Sequence, residues 1–170
     1  MPYTTGQKIL HWLTAFLVLG MTASGLAYSL EWADKSILQS HQISGQILIV
    51  VIALRIVARI AHRPSECESH APWERRLASV IHLALYGLIL VFIVSGYVSA
   101  SALSNSALLF PVDLGFARSD TGEVFLEVHY AAKWALLALL ALHFGGSLKH
   151  AFVDRDNSFS RMWFSSRKGT

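Results

Sequence analysis

Residues 121–150 read TGEVFLEVHYAAKWALLALLALHFGGSLKH, and the architecture turns on this stretch. Between Lys133 and Lys149 lie 15 uncharged residues, and the apolar pattern runs back through Tyr130 to Val128. A helix needs about 20 mostly apolar residues to cross the hydrocarbon core of a bilayer. Two histidines, His129 and His143, sit inside the stretch, 14 residues apart. At about 100° and 1.5 Å per residue they return to within about 40° of one face, about 21 Å apart along the axis. One helix therefore presents one imidazole in each leaflet.

Working outward, three more uncharged runs appear: 22 residues between Lys8 and Glu31, 19 between Lys35 and Arg55, and 36 between Arg76 and Asp113. The spacing predicts helices near residues 7–30, 37–61, 76–103 and 121–150. Thr4-Thr5-Gly6-Gln7, Ser36-Ile37-Leu38-Gln39 and Asp120-Thr121-Gly122-Glu123 each read as a capping box. Pro72 suits a first helical turn ahead of the third span. The first apolar run is too long for a signal peptide and carries a histidine in its first turns. Lipid offers backbone groups no partner, so the natural architecture is all-α, an integral membrane four-helix bundle. Residues 1–170 are expected to form that single domain.

Composition agrees. Hydrophobic residues make up 54% of the chain and charged residues 15%, against about 25% in soluble domains. A single cysteine, Cys67, excludes a disulfide scaffold, a CxxC zinc site, an iron–sulfur cluster and a CxxCH haem attachment. Neither a GxGxxG nor a GxxxxGK[ST] phosphate loop occurs. The pI near 9.2 does not indicate nucleic acid, because the bases form no stripe with interleaved aromatics.

Topology accounts for the bases instead. Eleven of them (Lys8, Arg55, Arg59, Arg63, Arg75, Arg76, Lys149, Arg155, Arg161, Arg167 and Lys168) flank the end of the bundle that carries both termini. The other end has Lys35 and Arg118, with Lys133 inside a span. The positive-inside rule then makes both termini cytoplasmic. The opposite end carries Glu31, Asp34, Asp113, Asp120, Glu123 and Glu127, six acids against two bases. That balance disfavours steering of a small anionic donor such as superoxide and suits a basic or neutral one.

The histidines pair by depth. His11, near the inner end of the first helix, matches His143; His41, near the outer end of the second, matches His129. Polar groups within a bilayer are usually functional, and two facing imidazoles suit a haem iron with both axial positions filled. Zinc would need three or four ligands close together, and the sequence shows no such cluster. The bland alternative is that each histidine only hydrogen-bonds helices together. Gly20, Gly25, Gly45, Gly145 and Gly146 would let a flat macrocycle approach the backbone, or serve ordinary small-residue packing.

With His11-Trp12, His41, Gly45, Arg55, Arg59, His82, His129, His143, Lys149-His150, Asp154, Asp156, Arg161 and Met162 in this order, the chain resembles the bacterial cytochrome b561 family of four-helix di-haem membrane cytochromes. It is similar, more distantly, to the longer cytochrome b subunits of nickel–iron hydrogenases and formate dehydrogenases. Four spans argue against the six-helix eukaryotic ascorbate-linked proteins. The resemblance implies two haem b groups, an inner one on His11 and His143 and an outer one on His41 and His129, in a bacterial inner membrane.

Several secondary residues keep more than one reading. His82 competes with His11 as a ligand, or contacts a propionate, or lines a quinone pocket. His150 relays protons to a quinone, or is a solvated histidine at a helix end. Arg55 is assigned to a haem propionate; Arg59 either joins it or snorkels to headgroups. Lys133 pairs with an outer propionate or reaches the interface. His62 and His70 are expected in solvent, Trp12, Trp32, Trp73 and Trp163 in the aromatic belts, and Cys67 has no assigned role.

Two six-coordinate irons imply outer-sphere electron transfer between the quinone pool and a small or soluble partner. The chain is then an electron carrier or a quinone-linked oxidoreductase, with lipid around it, an unknown donor, and a homodimer compatible. The alternatives are a cytochrome b anchor subunit of a larger hydrogenase or dehydrogenase, and a haem-free bundle.

Overall fold

In the computed structural model, residues 3–65, 71–102, 109, 120–156 and 158–164 are described. Four long helices follow one another: α1 (Thr5–Ser29), α2 (Ser36–Ala61), α3 (Pro72–Ala102) and α4 (Asp120–Leu148). A π-helical turn, Lys149–Val153, continues α4, and a short α5 (Ser158–Met162) closes the described tail. All four long helices have the length and apolar character to cross a membrane, and there is no strand among the described residues. The architecture read from the sequence is the one found.

Boundaries differ where local chemistry differs. Thr4 does cap α1: its hydroxyl accepts from Gln7 N at 3.2 Å, and Gln7 Oε1 accepts from Thr4 N at 3.0 Å. The box expected at Ser36 does not form; Ser36 is already helical and Lys35 is the cap, with no side-chain bond. Asp34 substitutes from outside, its Oδ1 accepting from Ser36 N at 2.8 Å and from the Ser36 hydroxyl. Those bonds hold the Asp34 carboxyl below its ordinary pKa. Asp120 begins α4 rather than capping it, and the residue before it lies outside the described set. Pro72 opens α3 four residues before the expected start. The fourth span runs on to Val153 because the π turn carries it past Lys149.

The helices pack as two antiparallel pairs, α1 with α2 and α3 with α4, joined mainly through α2 and α3, while the α1–α4 seam is more open. Val18, Leu48, Ile52, Ile89 and Leu136 form the buried centre, flanked by Met21, Tyr86 and Phe92. Outward-facing positions are apolar too, with Phe16 69% and Leu83 75% exposed. A surface of that kind is matched to lipid rather than water.

Gln7 ties α1 to α2 at the basic end. Its Nε2 donates to Ala58 O at 3.1 Å and His62 O at 2.7 Å, satisfying carbonyls at the end of α2. Gln7→Ala removes both bonds and half of the capping box, so a loss of about 1–3 kcal/mol is expected. A lowered unfolding midpoint in detergent checks it; an unchanged midpoint contradicts it. The tail packs here as well: Lys8 Nζ donates to Trp163 O, Trp12 Nε1 donates to Met162 O, and Trp12 meets the Trp163 ring edge-on at 5.5 Å. Trp12 and Trp163 thus clamp the tail to α1.

Candidate functional site

Near the acidic end, α2 brings His41 opposite His129 of α4, with ring centres 6.1 Å apart. Near the basic end, α1 brings His11 opposite His143, with ring centres 6.3 Å apart. Both pairs inferred from depth are therefore brought together. With metal–imidazole bonds of about 2 Å, two rings on opposite sides of one metal have centres about 6 Å apart. Both separations fit that arrangement.

The acidic-end pair is also oriented. Ser24 Oγ lies 3.0 Å from His41 Nδ1, and Ser95 Oγ lies 3.0 Å from His129 Nδ1. Each hydroxyl already donates its own proton to a carbonyl one turn back, Ser24 to Met21 O at 3.0 Å and Ser95 to Val91 O at 2.6 Å. The serine oxygens must then accept, which puts the imidazole proton on Nδ1 and the lone pair on Nε2 in both rings. That is the tautomer that ligation through Nε2 requires, fixed by neighbours in the usual way. The cavity beside the pair is lined by Val18, Leu48, Ile89 and Phe92 among other mostly apolar residues, and Lys133 stands at its rim.

Two glycines make room for the rings. A Cβ at Gly96 would lie 3.0 Å from His129 Cε1 and 3.2 Å from Nδ1. At Gly25 it would lie 3.4 Å from His41 Cε1. Gly45 instead faces Met21 at 3.2 Å, while Gly20, Gly145 and Gly146 have nothing within 4 Å. Sequence reasoning named Gly25 and missed Gly96, Ser24 and Ser95.

The basic-end pair is set differently. Arg55 Nη2 lies 2.8 Å from His11 Nδ1. A guanidinium only donates, so this His11 nitrogen accepts and its proton resides on Nε2. Arg55 also lies over the Tyr86 ring at 5.3 Å. Arg55 thus stands between a ligand candidate and a tyrosine. His82 lies 5.2 Å from His143, centre to centre, shorter than the spacing of two rings across one metal.

The remaining expected residues separate. Lys133 Nζ donates to Ser29 Oγ at 3.1 Å, between the Tyr130 and Trp134 rings. Arg59 and His62 are exposed. His150 is not a solvated helix-end residue: its side chain is 16% exposed and its Nδ1 lies 2.9 Å from both Asp154 Oδ2 and Asp156 Oδ2. The π turn and a left-handed Arg155 (φ 52°) bring those two carboxylates onto one imidazole. Lys149 bridges Asp154 at 2.6 Å and Glu74 at 2.7 Å. His70 and Cys67 lie outside the described residues.

Comparison with known proteins decides the family. The model of prokaryotic cytochrome b561 matches residues 2–165. The chain belongs to the prokaryotic cytochrome b561 family. It is 31% identical over 162 residues to cytochrome b561 homolog 2 of Escherichia coli (strain K12), covering 89% of this chain and 86% of that protein. It is 26% identical over 178 residues to cytochrome b561 homolog 1 of the same organism, covering 94% and 96%. As a prokaryotic cytochrome b561 with four apolar spans, the chain is a multi-pass bacterial membrane cytochrome that binds haem b and works in electron transfer.

Proposed function

We propose that this cytochrome b561 holds two b haems, one between His41 and His129 and one between His11 and His143, and exchanges electrons between the membrane quinone pool and a small or soluble redox partner. The observation that carries the reading is the pair of ring separations, 6.1 and 6.3 Å, repeated at two levels of one bundle. A bis-imidazole haem supplies reversible one-electron chemistry with no open iron position for oxygen.

The side chains have distinct tasks. Ser24 and Ser95 hold His41 and His129 in the ligating tautomer. Ligation through His11 Nε2 would place that ring's proton on Nδ1, and the Arg55 guanidinium beside it would then suit a propionate. Lys133, at the rim of the acidic-end cavity, suits a propionate there. The eleven bases at the termini end favour a cytoplasmic location for both termini in the bacterial inner membrane. Quinone is assigned to that basic end, where His82, Arg59 and His150 lie. His150, anchored on Asp154 and Asp156, is the group there able to hold and pass a proton. Residues 1–170 are proposed to act as one domain.

The deciding experiment is a redox-titrated optical spectrum with haem quantified per chain. Two b haems per chain, neither taking up carbon monoxide, is the expected result. One haem, or ready carbon monoxide binding, contradicts it. Under the same assay His82→Ala keeps both haems; loss of one would make His82 a ligand in place of His11.

A further inference from the structure

At the acidic end, α1 stops in a tight motif. Glu31 N donates to Tyr28 O and Trp32 N to Ala27 O, the two bonds of a Schellman closure. Glu31 occupies its left-handed position, with φ 60°, where glycine is ordinarily favoured. The conformation therefore costs the chain some stability to keep a carboxylate at this point. Trp32 follows it, 80% exposed.

These residues line an open groove of about 590 Å³, bounded by Tyr28, Trp32, Tyr130, Glu31 and Asp34. Three aromatic rings and two carboxylates face it, and no lysine or arginine is among its lining residues. An interfacial belt accounts for the aromatic rings as such. It does not account for two acids grouped between three rings, which is the chemistry that receives a cationic side chain. The surrounding described surface is net acidic: Asp120, Glu123 and Glu127 are exposed against the exposed Lys35, and Lys133, over the Tyr130 ring, donates to Ser29.

The groove also adjoins the histidine pair. Tyr130 directly follows His129 in α4. Ser29, another lining residue, accepts from Lys133, which stands at the rim of the cavity between His41 and His129.

We infer that this groove docks a basic, water-soluble electron-transfer protein, which inserts a lysine or arginine among Tyr28, Trp32 and Tyr130 against Glu31 and Asp34. The inference rests on the electron-transfer reading above and gives its soluble partner a chemical class. Aromatic anchors supply the contact, and the opposite charges steer the encounter.

The test uses the full-length, haem-replete protein in lipid nanodiscs, with a basic mitochondrial-type cytochrome c as probe. Binding and electron-transfer rate are both measured, at low and at high salt. The double variant Glu31→Gln with Asp34→Asn keeps the Ser36 cap acceptor while removing both charges. It is expected to bind the probe about tenfold more weakly at low salt and to lose most of the salt dependence. Trp32→Ala should weaken binding with the salt dependence retained. An acidic flavodoxin probe should not bind. The docking inference is overturned if the double variant binds as tightly as the parent, or if the flavodoxin binds equally well. It is also overturned if choline at millimolar concentration fills the groove while the protein probe binds elsewhere. The optical spectrum separates the two layers: absence of b-type bands removes the electron-transfer reading, whereas normal bands with charge-independent binding remove only the docking surface.

Discussion

His129→Ala is expected to leave the protein with one haem instead of two, the survivor being the one near the basic end. His41→Ala should give the same product. His143→Ala and His11→Ala should give the converse, a protein whose remaining haem is the acidic-end one. Each pair acts as a unit, since removing either imidazole leaves an iron with one protein ligand. The two units should behave independently, because His129 and His143 stand about 21 Å apart along one helix. A pyridine haemochrome assay gives the stoichiometry, and optical redox titration shows which of two potentials has disappeared. Two haems retained in all four variants would remove the ligand assignment.

The two ends differ in the groups that hold their rings. At the acidic end the Ser24 and Ser95 hydroxyls donate to helix carbonyls and stand against the Nδ1 atoms of His41 and His129. At the basic end the group against His11 Nδ1 is the Arg55 guanidinium.

Much of this was legible because a bilayer constrains the sequence so strongly. Uncharged runs fix four spans, and depth along them fixes which histidines can meet. Helical rise and the alternation of direction set His41 level with His129 and His143 level with His11 or His82, and the family resemblance chose His11. The supporting residues were not legible. Ser24, Ser95 and Gly96 are ordinary small residues of membrane helices, and their role depends on helix rotation, which the weak amphipathic pattern of a lipid-facing bundle does not specify. An i−4 back-bond from Ser95 and a glycine one residue later on the side facing a histidine are meaningful only once the facing ring is known. An added Cβ at Gly145 or Gly146, beside His143, would meet nothing within 4 Å. The tail was half legible: Asp154 and Asp156 were noted, but their convergence on His150 requires a π turn and a left-handed Arg155, neither of which has a sequence signal.

Two alanine substitutions at glycines turn this geometry into a graded test. At Gly25 the added methyl would meet His41 Cε1 at 3.4 Å, an ordinary van der Waals contact, so Gly25→Ala should leave both haems bound. At Gly96 the methyl would meet His129 at 3.0 Å from Cε1 and 3.2 Å from Nδ1, tight enough that the ring must give by a few tenths of an ångström. A surface histidine would swing aside. His129 cannot do so freely: Ser95 holds its Nδ1, Phe92 packs on its ring at 4.8 Å, and an iron would fix Nε2. The strain therefore falls on ligation itself. Overpacking of this kind costs about 1–3 kcal/mol, which corresponds to roughly a ten- to hundredfold loss of acidic-end haem affinity. Haem transfer to an apo-globin acceptor measures it. Gly96→Ala should release one haem per chain far faster than the parent, while Gly25→Ala matches the parent. Equal release from the two variants would mean that His129 is free to move and does not serve as the ligand.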